Sequence, residues 1–379
     1  MMPKIAMISN YPPDHATFVG GVETATVALL EGLRAYQSEF DFHIVAVSKS
    51  IAADLCEERE GFRFHFLRIP RQAWLRPRLP FRVVKVYREL RRLKPDLVHC
   101  QGNIAPALAT VFSGYPRVFT VHGVARHEAH LRTGWEFWSK NTSALIEEYV
   151  HRRFHAFICI SSYAADVVGD RGLTFAIPNP VRSLFFQVPA RMALHERPYL
   201  VFVGVLAPLK RPADLLLAHA ELRRQFPNLE TIFCGETQDE GYVRAMQRTV
   251  GERGIGGVRF LGRVSQETLA NLLSRATALV LPSAQENAPM AIAEAMAIGV
   301  PVIATRVGGV ADMVKHGESG LLYQAGDVRG LIDCLRQLLN DPSLRLQLGC
   351  QARRFAELAY SPARVAERTV AAYRQLLQA

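Results

Sequence analysis

Two carboxylates set eight residues apart, Glu286 and Glu294, stand in a setting where their chemistry has to be accounted for. They frame Glu286-Asn287-Ala288-Pro289-Met290-Ala291-Ile292-Ala293-Glu294, which runs on to Gly299 and the strand-like Val300 to Ala304. Asn287 can cap a helix and Pro289 suits a first helical turn, so the spacing predicts Glu286 in the loop before a helix, near its positive end. Glu294 then projects from that helix among alanines, isoleucines and methionines. A carboxylate in so apolar a place is costly to desolvate without a polar partner, and the sugar hydroxyls of a nucleotide are natural partners.

Other residues carry chemistry of the same kind, each with a plainer structural alternative beside it. Lys210 and Arg211 follow a strand-like Phe202-Val203-Gly204 and precede a helix. A lysine there can neutralise a pyrophosphate as a point charge while helix amides add hydrogen bonds, or the pair is simply an exposed basic loop. Gly20-Gly21 opens a helix after the first strand, where glycines let amides approach an anion; a Gly-Gly turn is also often only a turn. His122 ends a strand, where an imidazole can hydrogen-bond a bound sugar or serve the core. Arg263-Val264 lies at a turn whose main chain can read a base edge, with Ser265 as the N-cap of the helix that follows. There is no GxGxxG and no GxxxxGK[ST], so neither a dinucleotide fingerprint nor a P-loop is supported.

The elements that must position these residues alternate throughout between strand-like runs and helical periodicity, the pattern of parallel sheets covered by helices. Strands are expected at Ile5 to Ser9, Phe42 to Val47, Phe62 to Leu67, Leu97 to Cys100, Val118 to Val121 and Phe157 to Ile160. The rhythm breaks at Ile177-Pro178-Asn179-Pro180, with Pro189 and Pro198 beyond, and restarts with strands at Tyr199 to Val203, Glu230 to Cys234, Val258 to Leu261, Ala278 to Leu281 and Val300 to Ala304. A long amphipathic helix, Pro362 to Leu377, follows a proline break. At 379 residues, two domains are the default. The boundaries read as 1–185, 186–361 and a terminal helical segment 362–379.

Composition excludes several classes. With 49% hydrophobic and 21% charged residues the chain is an ordinary globular one, neither disordered nor fibrous. No apolar run has the length of a membrane span and no leader-type cleavage pattern opens the chain, so a cytoplasmic location is expected. The cysteines stand singly, without a CxxC pair or a histidine at metal-ligand spacing, so no metal is expected. The net charge of +10 is concentrated in 61–94, where Glu89 is the only acid among many arginines and lysines. Interleaved with Trp74, Leu79, Phe81, Val83, Val84 and Tyr87, that stretch suits an anionic membrane surface or polyanionic acceptor, or else a solvated helix face. No nucleic-acid motif accompanies the charge.

The ordered set of GG near the start, His122-Gly123 after a strand, Ile177-Pro178-Asn179, Gly204-x-Leu206-x-Pro208-x-Lys210, Phe260-Leu261-Gly262, the glutamate pair and Gly299-x-Pro301-Val302-Ile303-Ala304-Thr305-x-x-Gly308-Gly309 closely resembles the retaining glycosyltransferases of the GT-B fold, glycosyltransferase family 4. The resemblance covers nearly the whole chain. It implies an α/β protein with two Rossmann-like domains whose parallel sheets face an inter-domain cleft, an acceptor domain first and a donor domain second, closing over a UDP- or GDP-linked sugar. By the same likeness Glu294 holds the ribose hydroxyls, Lys210 the diphosphate, and the Arg263-Val264 turn the base. Glu286 and the amides of Asn287 and Ala288 face the donor sugar, His122 supports it, and Gly21 lies near the phosphates or acceptor. The terminal helix is implied to return to the first domain. Family members usually carry an arginine where this chain has Val205, and Arg211 is the neighbouring candidate to replace it.

The expected reaction is hexosyl transfer to a hydroxyl acceptor with retention, the acceptor being a cell-envelope or lipid-linked glycan precursor, with the departing diphosphate stabilised electrostatically and no cofactor required. A double-displacement glycosidase is excluded because Glu294 is needed for the ribose. A sugar-nucleotide epimerase of the same shape and a non-catalytic sugar-nucleotide binding protein stay as alternatives.

Overall fold

The computed structural model describes residues 2–14, 20–69, 78–102, 104–123, 144–189 and 198–378. The chain forms two compact units, 1–180 with 362–379, and 181–361. The division falls at Pro180/Val181, five residues ahead of the 185/186 expected from the proline pattern, because Val181 and Phe185 are both fully buried in the second unit's core. The chain returns to the first unit at Pro362.

In the first unit the strands are β1 (Lys4–Ile8), β2 (Asp41–Ser48), β3 (Leu55–Arg59), β4 (Phe62–Arg68), β5 (Leu97–Gln101), β6 (Arg117–Val121), β7 (Ala156–Cys159) and β8 (Leu173–Ala176). They lie in the order β3-β4-β2-β1-β5-β6-β7-β8, and every pair is parallel except β3 with β4. β3 was not expected. Its Leu55-Cys56-Glu57-Glu58-Arg59 is almost wholly exposed and shows no apolar alternation, as suits a charged edge strand. The turn that folds it onto β4 places Glu60 and Gly61 both at positive φ, the geometry of a tight hairpin.

The second unit holds β9 (Tyr199–Val203), β10 (Glu230–Cys234), β11 (Val258–Gly262), β12 (Ala278–Leu281), β13 (Val302–Thr305) and β14 (Gly320–Tyr323), ordered β11-β10-β9-β12-β13-β14 and parallel throughout. Winding starts at β9, runs outward through β10 and β11, then crosses back to β12. That reversal sets β9 beside β12 where the winding changes direction, which makes the carboxyl ends of these two neighbouring strands the natural place for a ligand. In the first unit β1 lies in the same way between β2 and β5.

The terminal helix Pro362–Gln378 covers one face of the first sheet together with the helix Gly21–Leu33. Val365, Ala366, Val370 and Tyr373 share a core with Ile5, Met7, Leu29, Leu30 and Leu33. The two helices touch backbone to backbone at Gly32, where a Cβ would stand 2.1 Å from the Pro362 carbonyl oxygen. Gly32→Val should therefore destabilise the protein by about 1–3 kcal/mol through overpacking, seen as a lower midpoint in denaturant unfolding; an unchanged midpoint would show that the helices slide apart freely.

Candidate functional site

The loops leaving β9 and β12 meet as the topology requires. The Ala284 amide donates to the Leu209 carbonyl over 2.9 Å, and Lys210 Nζ donates to Glu286 Oε1 over 2.7 Å. Ser283 Oγ donates to the same Glu286 oxygen over 2.7 Å. Glu286 is buried, so these two donors supply the compensation its charge requires. A third loop, leaving β13, holds the arrangement from behind. Thr305 Oγ1 donates to the Ser283 carbonyl over 2.6 Å. Gly308, at φ +48°, lies so close that a Cβ would fall 1.7 Å from the Glu286 carbonyl oxygen. Ser283 escaped the reading of the sequence; its place three residues before Glu286 at the end of an apolar strand was the signal available.

Glu294 lies on the helix Met290–Ile298, every residue of which from Ala291 to Ile298 is buried. That helix is apolar on all sides, as a helix inside a core is, and it ends at Gly299 in the left-handed conformation. Burial pushes the Glu294 carboxyl up to about 7, and the positive charge of Arg182 works against the rise. The helix begins at Met290, with extended Pro289 as its N-cap and no side-chain cap bond. Asn287 is thus not the cap that the sequence suggested, because Pro289 carries the extended backbone of that position two residues later. Asn287 and Ala288 belong to the loop between Glu286 and the helix.

The remaining candidate residues of the second unit fall at the same edge of the sheet. Gly204 and Gly235, which follow β9 and β10, approach so closely that a Cβ on Gly235 would meet the Gly204 carbonyl at 1.8 Å. Ser265 caps the helix Gln266–Arg275 by accepting from the Thr268 amide, as expected. Arg263, beside Val264 in this turn, forms a 3.4 Å pair with Glu236. Arg211 stands in the left-handed region at φ 49°, and its guanidinium holds both oxygens of Asp214, at 2.7 and 3.3 Å. This i,i+3 fork engages Arg211 at the first turn of its own helix, as Glu286 engages Lys210.

In the first unit, His122 follows β6 and its Nε2 lies 2.6 Å from Gln101 Oε1, at the end of the neighbouring β5. Burial lowers its pKa to about 4. Gly21 is the first residue of its helix, with extended Gly20 as N-cap. In the basic stretch, the helix Arg78–Leu93 turns Val86, Leu90 and Leu93 into the core, with Val83 and Tyr87 packed against them. Lys85 pairs with Asp54 and Arg92 with Glu89, and Arg88 and Arg91 are exposed. Much of the apolar side is therefore committed to packing. Trp74, Arg71 and Arg76 lie outside the described residues. Among the described residues no helix is long and apolar enough to cross a membrane, and no cluster of side chains suits a metal ion.

Two α/β units of this build in one chain form a fold of the GT-B type. The chain belongs to glycosyltransferase family 4: residues 19–183 match the profile "Glycosyltransferase Family 4" and residues 189–355 match "Glycosyl transferases group 1". It is 36% identical over 200 residues to a D-inositol 3-phosphate glycosyltransferase of Nocardioides sp., a match covering 49% of this chain and 43% of that protein. The chain spans about half the length of the curated relatives it matches. In fold it is similar to sucrose-phosphate synthase from Thermosynechococcus elongatus, with a TM-score of 0.83 at 22% identity over 99% of both chains. It is also similar to HepE of Anabaena, solved in complex with UDP-glucose, with a TM-score of 0.73 at 18% identity over 98% of this chain and 99% of that one.

The buried Glu294 carboxyl makes a pH signature. Its folded-state value, about 7, lies above the ordinary 4.5, so the stability attached to its proton is complete below about pH 4.5 and is lost as pH rises through about 7. The loss is on the order of 3 kcal/mol. Glu294→Gln should remove this component, so that the parent-minus-variant difference in unfolding midpoint slopes between those limits and is level above them. A difference independent of pH would show that Glu294 ionises freely in the folded protein.

Proposed function

We propose that this protein transfers a hexosyl group from a nucleoside diphosphate sugar, UDP- or GDP-linked, to a hydroxyl acceptor with retention at the anomeric carbon. The observation that carries the reading is the 2.7 Å contact of Lys210 with Glu286 at the β9/β12 divergence, with a second buried carboxylate, Glu294, on the helix that follows. The UDP-glucose complex of HepE, which shares the fold, supports a donor of this class.

In this reading each group has a separate task. Glu294 accepts hydrogen bonds from the ribose hydroxyls, a use that gives its burial a partner. Lys210 neutralises the diphosphate as it departs, aided by loop and helix amides at the strand ends. Arg211, adjacent to Lys210, supplies the second positive charge that Val205 does not carry. The turn at Arg263 and Val264 serves the base, and Glu286 with the amides of Asn287 and Ala288 addresses the sugar. His122 hydrogen-bonds a sugar hydroxyl, and Gly21 lets an anionic or acceptor group approach a helix start. The chemistry needs no cofactor beyond the donor. The acceptor is a cell-envelope or lipid-linked glycan precursor, and the exposed Arg88 and Arg91 place the protein against anionic lipid by charge alone.

A thermal-shift panel of nucleoside diphosphate sugars identifies the donor, and calorimetry with the matching nucleoside diphosphate then separates the roles. Lys210→Ala and Glu294→Ala should each weaken binding roughly 10- to 100-fold. Glu286→Gln should leave binding within about 3-fold and lower turnover on the order of 100-fold. Equal affinity in Glu294→Ala and the parent would refute the ribose assignment. Conversion of donor to an isomeric sugar nucleotide without acceptor would instead identify an epimerase, and binding without transfer or hydrolysis a non-catalytic binder.

Co-sedimentation with phosphatidylglycerol vesicles tests the surface. Binding should fall as salt rises and be lost in Arg88→Glu with Arg91→Glu; binding unchanged by both would remove the membrane from the proposal.

A further inference from the structure

The second unit carries a concentration of positive charge away from the strand-end site. A groove of about 830 Å³ is lined by residues of the helices Pro212–Leu222 and Val328–Asn340 and of the segment that follows the helix Glu240–Glu252. Its volume is within the ~300–1,000 Å³ usual for small-molecule sites. Arg223, Arg224, Arg253, Arg329 and Arg336 line it against two acids, Glu221 and Asp333, an excess of three positive charges. Lys210 and Glu286 follow the carboxyl ends of β9 and β12, whereas Arg223 and Arg253 stand on the segments that lead into the amino ends of β10 and β11. The helix Pro212–Leu222 runs from one place to the other, with Arg211 as its N-cap and Arg223 as its C-cap.

The two acids leave most of this charge available. Glu221 pairs with Arg224 at 3.1 Å and Asp333 with Arg336 at 2.8 Å, both one helical turn apart and open to solvent, and such pairs contribute little and exchange readily for a better partner. Arg253 and Arg329 are exposed, and among the described residues neither side chain makes an ion pair or a hydrogen bond. Two other guanidiniums are held in place by the fold. Arg223 Nη1 donates to the Leu229 carbonyl over 3.1 Å, and the guanidinium lies against Gly257, where a Cβ would stand 2.1 Å from Nη1. Its Nε and Nη2 have no partner among the described residues. Arg336 Nε donates to Gln225 Oε1 over 3.2 Å, which ties the helix Val328–Asn340 to the segment after the helix Pro212–Leu222.

The fork of an arginine matches the oxygens of a phosphate group, and charge-assisted bonds of that kind are among the stronger ones in proteins. The arginines are spread too widely for one such group. Arg329 and Arg336 are seven residues apart on one helix, about 10 Å along its axis. Ile332 lies between them in sequence, and Leu217 and Ile255 add further apolar lining. We propose that this groove binds a small molecule carrying two or more phosphate groups spaced on a sugar-sized body, at a site separate from that of the donor. The phosphates are taken by Arg253, Arg329 and the held guanidinium of Arg223, and the body of the ligand rests on the apolar lining. The inference stands on the second unit alone and does not depend on the tasks given to Glu294 or Lys210.

Calorimetric titration of glucose 1,6-bisphosphate into the parent, into Arg253→Ser with Arg329→Ser, and into Lys210→Ala separates the two sites. The parent should bind one molecule, the paired arginine variant should bind it roughly 10-fold or more weakly, and Lys210→Ala should bind it as the parent does. UDP and GDP should show the reverse dependence, and their failure to bind would touch the donor reading alone. Both replaced arginines are exposed, so the paired variant should keep the parent's unfolding midpoint. Glucose 6-phosphate, with a single phosphate, should bind roughly 10-fold or more weakly than the bisphosphate. Absence of saturable binding overturns the proposal, as does equal affinity for the two sugars. Binding lost in Lys210→Ala and kept in the paired variant would place the bisphosphate in the donor site instead. Phosphatidylglycerol vesicles bound through Arg253 and Arg329, with no saturable binding of the bisphosphate, would make the groove a lipid contact and likewise overturn it.

Discussion

Lys210 and Glu286 are 76 residues apart in the chain, and their contact exists because β9 and β12 are neighbours in the sheet. The rest of the second unit's site is arranged around this ion pair. Glu286 is buried, so its charge is tolerable only with Lys210 and Ser283 on one oxygen. Ser283 is in turn held by Thr305 through its carbonyl, and the loop after β13 can approach only because Gly308 has no Cβ. Three strand ends are thereby locked in register around one carboxylate.

The second glutamate is held by the opposite device. Glu294 lies in an all-buried helix with Arg182 as its electrostatic neighbour, and its proton affinity is raised by desolvation. One carboxylate is compensated by two donors on one oxygen, and the other is desolvated with Arg182 as its positive neighbour. That contrast in electrostatic setting is the physical basis for proposing different tasks for the two. In the first unit Tyr373, His99, Thr120, Gln101 and His122 are likewise linked by hydrogen bonds within the protein.

Much of the architecture was legible from residue pattern. Val-, Ile- and Leu-rich runs between helical segments read as buried parallel strands, and those of β1, β5, β9, β12 and β13 stand where the pattern placed them. β3 was not legible because an exposed edge strand has no apolar alternation to show. β14 was hidden for a different reason: Gly320-Leu321-Leu322-Tyr323 is too short a run to tell strand from turn without its neighbour β13. The start of the Glu294 helix was misplaced by two residues, since Asn287 and Pro289 are both acceptable near a helix start and only backbone geometry separates them.

Residue type and order alone determined that this chain folds as two α/β units, that Glu286 precedes a helix and Glu294 lies within it, and that Lys210 follows a strand end. Those are local properties, set by periodicity, capping and proline. Tertiary structure alone decided that Lys210 is paired with Glu286, that Arg211 faces Asp214, that Ser283 belongs to the site, and that Tyr373 reaches His99 across 274 residues of chain. Each is a contact between side chains on different loops or elements, or a choice between partners equally near in sequence. Such choices turn on strand order and on which loops a missing Cβ lets close, neither of which is written in any one segment of the chain.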